Sequence, residues 1–174
     1  MKRVVVVLFI FVGIALQAAA PSASGQLQPA GGLSGTWAWS THIGAETLPA
    51  MVTFHIDGTA IVSDSAMFGG LPTAPMKVGP LHGVWARTEP RRFGGTSMGI
   101  LFDPATNLPA GFMRSRVDLE MSEDRGSLQG TMIIDLLFCP TAMTCPDPSD
   151  PTLTWAFPTE LPVSARRVHV VPIL

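Results

Sequence analysis

The stretch Gly111 to Met121 alternates residue by residue, with Val117, Leu119 and Met121 on one side and Arg114, Arg116, Asp118 and Glu120 on the other. Such alternation is the period of a half-buried β-strand, because successive side chains point to opposite faces of a sheet. The polar run Ser122 to Gly126 then turns the chain, and Leu128 to Phe138 returns as the partner strand. One of its faces carries Leu128, Gly130, Met132, Ile134, Leu136 and Phe138. The other carries Gln129, Thr131, Ile133, Asp135 and Leu137, so the late half is apolar on both sides except at Asp135. That pattern predicts burial on both faces, or contact with another chain. A hairpin of this kind must roll up or pack against further strands to hide its apolar face.

Further β-type runs recur between turn signals, and almost no stretch has helical periodicity. Gly35 to Thr41 places Trp37 and Trp39 on one face. Ala50 to Ile56 runs into Asp57-Gly58, a two-residue hairpin signal, with Thr59 to Ser65 returning. Val52, Phe54 and Ile56 form the more apolar face of the first of these runs, which leaves His55 pointing outward. Met67 to Pro80 is rich in Gly and Pro and reads as a loop. Gly83 to Thr88 and Phe93 to Phe102 follow, the latter thinned by Gly94, Gly95 and Gly99, which predict bends or bulges. Thr152 to Phe157 and Val163 to Val170 supply one or two closing strands. About eight short strands joined mainly by tight turns define an all-β, antiparallel up-and-down barrel, with a sandwich as the other architecture of this signature.

The N-terminus reads differently. Lys2 and Arg3 precede an apolar run from Val4 to Leu16 and the small residues around Ala18 to Ala23. Those are the three regions of a secretory signal peptide, assigned to residues 1–23, and the run is slightly short for a membrane anchor. Residues 24–32 are an uncharged lead-in, and 33–174 form the single β-barrel domain. The expected location is secreted or periplasmic, with no membrane span once the signal is cleaved. Loss of Lys2 and Arg3 leaves 9 of the 11 basic residues against 13 acidic ones, a net charge of −4. No basic stripe remains for a phosphate backbone, so nucleic acid is not an expected partner. In an oxidising compartment Cys139 and Cys145 are expected to form a local structural disulfide, their spacing being longer than that of a redox pair.

Leu33-Ser34-Gly35-Thr36-Trp37 resembles the opening of a calycin barrel, the group that includes lipocalins, fatty-acid-binding proteins and avidins, whose first strand carries Gly-x-Trp. A second Gly-x-Trp stands at Gly83-Val84-Trp85. The resemblance implies a lipocalin-like barrel in which Arg166 or Arg167, near the end of the chain, packs on Trp37 through a cation-π contact. The typical second and third lipocalin segments and the helix after the last strand are missing. A barrel of the allene oxide cyclase and dirigent type has a similar strand count and guides reactions in an apolar cavity.

Motif chemistry is sparse. His42, His55, His82 and His169 are scattered, without metal-ligand spacing, so no metal site is expected. Neither a nucleophile elbow nor a phosphate loop is present, and no cofactor is expected. The leading function is therefore binding of a small apolar or amphipathic molecule, with Trp37, Trp85, Phe102 and Met132 as wall residues. Met67, Met76 and Met98 add flexible side chains suited to a pocket. This reading requires a cavity of about 300 Å³ or more. The alternatives are a cavity enzyme of cyclase or isomerase type and an envelope structural or interaction module. The enzyme would use Arg114 and Arg116 as a carboxylate clamp with Asp135 or His82 as proton carrier, all converging inside the barrel. Asp135 stands out because a carboxylate amid Ile and Leu must be paired or neutralised. The simpler account pairs it with Arg114 or Arg116 on the neighbouring strand.

Overall fold

The computed structural model describes residues 32–69, 76–141 and 144–169. The signal and the lead-in up to residue 31 lie outside that range, as does the part of the Gly- and Pro-rich loop from 70 to 75. Nine strands and one short helix follow in order: β1 (Gly35–Ile43), β2 (Glu46–Phe54), β3 (Thr59–Asp64), α1 (Ala66–Gly69), β4 (Lys77–Val78), β5 (Leu81–Arg87), β6 (Arg92–Phe102), β7 (Pro109–Met121), β8 (Ser127–Phe138) and β9 (Ala156–Arg167). Eight of the strands close on themselves in the order β1-β2-β3-β5-β6-β7-β8-β9, with β9 returning to β1. Every pairing is antiparallel. The two-residue strand β4 adds to the end of β6, with Val78 opposite Leu101. The all-β up-and-down barrel is thus the architecture of the chain.

The β7–β8 hairpin falls where the alternation puts it, Met121 facing Leu128 and Gly111 facing Phe138. Elsewhere the strand ends shift. Strand β2 begins at Glu46, because Gly44, at φ +61°, turns the chain directly after β1. It stops at Phe54, and the Asp57-Gly58 signal sits in a four-residue connection, since Phe54 pairs with Ala60. Asp57 holds that turn by accepting from the Thr59 N–H and hydroxyl. The two predicted closing strands are one, β9, which runs through Pro158 and Pro162. Both prolines precede Val163, where pairing with β1 starts, so each has at most one neighbouring strand and its missing N–H is tolerated. A Cβ on Gly83 would run into the carbonyl oxygen of Thr96, which explains the glycine of the second Gly-x-Trp as a close approach of β5 and β6.

Eight strands enclose an interior just wide enough for side chains to fill. Two buried clusters fill its ends. One gathers Leu33, Trp37, Phe93, Leu119, Met121 and Leu128; the other gathers Ala66, Val78, Leu81, Leu101, Met113 and Leu136. Trp37 is fully buried and donates its indole N–H to the Leu33 carbonyl at 2.9 Å. Of the two arginines offered for the contact with Trp37, Arg167 makes it, its guanidinium 4.4 Å from the ring centroid. Arg167 also donates to the carbonyls of Ser34 and Gly32, so the lead into β1 and the end of β9 are tied together.

Candidate functional site

Between the two clusters the interior is incompletely filled. A cavity of about 70 Å³ is walled mainly by Trp39, Ala50, Val62, Trp85, Met113 and Met132. That is well below the 300 Å³ expected for a drug-sized ligand, because small β2 and β3 side chains alone do not widen a barrel of this strand number. The indole N–H groups of the two tryptophans are already used. Trp39 donates to the Thr41 hydroxyl at 3.0 Å, and Trp85 donates to the carbonyls of His55 and Thr59. Their rings are left as apolar wall.

One ionisable side chain lines the cavity among the described residues: Asp64, at the end of β3. It lies opposite Ala50, which itself lies opposite Trp39, so the three form a cross-strand row. The backbone N–H groups of Ala66 and Met67, at the start of α1, act to hold the Asp64 carboxyl's pKa down. Its Oδ1 is buried and has no hydrogen-bond partner, and no cation pairs with it among the described residues. Burial pushes the Asp64 carboxyl above the ordinary aspartate value, against the opposing effect of the two N–H donors. The sequence reading passed over this residue. Ala60, Val62 and Asp64 share one face of their strand, but the alternating face of Ile61, Ser63 and Ser65 leaves the inner side undecided in sequence alone.

The other predicted wall residues divide. Trp85 and Met132 line the cavity. Trp37 does not; it plugs the end below. Phe102 lies instead in an open groove of about 340 Å³ on the outer wall, with His82, Met98 and Phe112. The methionines of the cavity are Met113 and Met132, whereas Met98 is on the outer wall and Met76 packs against the second core cluster.

Arg114, Arg116 and Asp135 do converge, but on the outside of the barrel. Even-numbered β7 positions face outward, and Asp135 takes the outward side of β8 opposite Arg114. Arg114 donates from Nε at 3.0 Å, and Arg116 donates from Nε at 3.1 Å and from Nη2 to Oδ1 at 3.2 Å. Asp135 is only 2% exposed, while Arg116 is half-exposed. Trp155 lies over Arg114, 4.2 Å from guanidinium to ring centroid. The outer side of late β8 is therefore covered by the chain's own return segment, with Leu137 buried beside Asp135, while Phe138, on the other face at the strand's end, is edge-on to Phe157. His82 is exposed two strands away, with Met98 between it and Arg114 in the cross-strand row. The internal convergence that a cavity enzyme requires is thus not the arrangement of these four residues. Cys139 and Cys145 are bonded, with Cα atoms 4.4 Å apart. Among the described residues no three His, Cys, Asp or Glu side chains are grouped as metal ligands.

These features define a closed eight-stranded antiparallel barrel with a plugged end, an acid-bearing apolar chamber and a clamped outer wall. No protein-family model, curated protein or solved structure matches the chain.

Proposed function

We propose that this is an exported, calycin-like barrel that binds a small apolar or amphipathic molecule in the chamber beside Asp64. The observation that carries the reading is an apolar space left between two otherwise packed core clusters, with a solvent-shielded carboxylate oxygen in its wall. A barrel built only for stability has no use for that combination, since an unfilled interior and an unanswered polar atom both cost stability. The Arg167 contact on Trp37 supports the calycin resemblance, and the disulfide accords with an oxidising location. At about 70 Å³ the chamber does not meet the roughly 300 Å³ that the sequence reading required, so the ligand proposed is smaller than that reading assumed: a handful of non-hydrogen atoms, or the thin end of a longer molecule. Met113 and Met132 are the wall side chains whose flexible thioethers can give way.

Native mass spectrometry of the exported protein, followed by titration of its tryptophan fluorescence with short alcohols, amines and acids, tests this. The expected result is a bound small molecule, or a saturable change that Ala50→Leu abolishes by filling the chamber. Absence of both overturns the reading.

A further inference from the structure

We propose that the chamber selects a protonated amine on a short apolar body, with the ammonium seated over Ala50 between Asp64 and the face of Trp39. The inference rests on the ligand-binding reading above and adds the chemical class.

The cross-strand row supplies the geometry. Trp39, Ala50 and Asp64 occupy neighbouring strands in register, all three lining the chamber. Adjacent strands are about 4.8 Å apart, so the backbone positions of the tryptophan and the aspartate are separated by about 10 Å. The residue between them is reduced to a methyl group. The gap is bounded on one side by the Trp39 indole, whose face carries negative potential, and on the other by a buried carboxylate oxygen with no hydrogen-bond partner.

Each ligand class meets that gap differently. A hydrocarbon leaves Oδ1 without a partner. A carboxylate or phosphate brings like charge into a shielded space that holds no cation. A neutral hydroxyl answers the hydrogen bond but not the charge. An ammonium does both, and it also gains from the indole face. Among the described residues the surrounding elements add no further charge to the lining: β2 contributes Leu48 and Ala50, β5 contributes Leu81, and the remaining polar groups are the neutral hydroxyls of Thr41, Thr96, Ser97 and Ser115. The charged groups closest in sequence to these walls, His82 on β5 and Arg114 and Arg116 on β7, lie on the outer face. Burial raises the Asp64 carboxyl above its ordinary value in the empty protein, so a bound cation must draw it back down and binding must weaken as the medium becomes acidic.

Three probes of one length separate the possibilities: n-propylamine, 1-propanol and propionate, titrated at pH 7 with the backbone amide signals of Ala50 and Asp64 as the readout. The amine should bind about tenfold more tightly than the alcohol, and propionate should not bind. In Asp64→Asn the amine preference should disappear while alcohol affinity is retained, thermal melting confirming that the variant is folded. Equal affinity for amine and alcohol in the unaltered protein, or a preference that survives Asp64→Asn, overturns the amine inference and leaves the chamber reading standing. Failure of all three probes overturns both.

Discussion

Two aspartates in this barrel keep carboxylate oxygen out of water in opposite ways, Asp135 as a fully buried side chain and Asp64, partly exposed as a residue, through its Oδ1 alone. Asp135 faces outward on β8, yet it is buried because two guanidinium groups and Trp155 lie over it. Asp64 faces inward on β3 with no side-chain partner among the described residues, the N–H groups of Ala66 and Met67 only lowering its pKa in part, and its buried Oδ1 is unanswered. The first is a satisfied network, in which the charges hold the chain's return segment against the wall. The second is an unfinished one. A carboxylate whose partners are all supplied by the protein has little capacity left for a ligand, whereas one with an empty acceptor has that capacity. Burial alone does not separate these two acids; the count of partners does.

The contrast can be broken first at the outer wall. Arg114→Ala combined with Arg116→Ala should leave Asp135 buried and unpaired and lower stability by about 3 kcal/mol or more, read from urea denaturation. A loss below about 1 kcal/mol would mean that water replaces the arginines, and the outer network would then not be what shields Asp135. Cys139→Ser with Cys145→Ser has a smaller expected effect, a loss of about 2 kcal/mol from release of a short loop, without change in ligand binding. A change in probe affinity in that variant would tie the outer wall to the chamber. Asp64→Asn has the smallest effect on stability and the opposite sign. Because the Asp64 carboxyl is raised in the folded state, its contribution is most favourable below the unfolded aspartate value and is lost as pH rises through the folded value. The variant should therefore melt higher than the parent at pH 7, with the advantage shrinking towards acid. A constant difference across that range would show that Asp64 titrates normally.

The strand plan was legible because it depends on local alternation and on turns. The sequence of Gly111 to Met121 already separates its two faces, and the arginine-on-tryptophan contact was what the calycin resemblance implied, with the choice between Arg166 and Arg167 left to the register of β9 on β1. Asp135 was visible as an interruption of an apolar run, and its pairing with the neighbouring arginines agrees with simple cross-strand register. Asp64 was not visible, for a physical reason. Its strand alternates Ala60, Val62, Asp64 against Ile61, Ser63, Ser65, and neither face is decisively more apolar. Only the register with Ala50, Val52 and Phe54 makes the aspartate side the inner one. The chamber's volume was likewise beyond sequence, since it depends on how side chains from eight strands interdigitate. The reassignment of Trp37 from wall to plug has the same origin: depth along the barrel axis is set by the register of distant strands.

The tie between Arg167 and the residues around Ser34 spans 133 positions in the chain. Closing so long a loop carries a large entropic cost that the β1–β9 contacts recover only once both ends are in place. The floor of the chamber is thus made from the first and last parts of the domain together. A chain halted before Ala156 has seven barrel strands, an open seam beside β1 and no floor under Trp39. The chamber is in this sense a readout of assembly, present only once β9 has been synthesised and has joined β1.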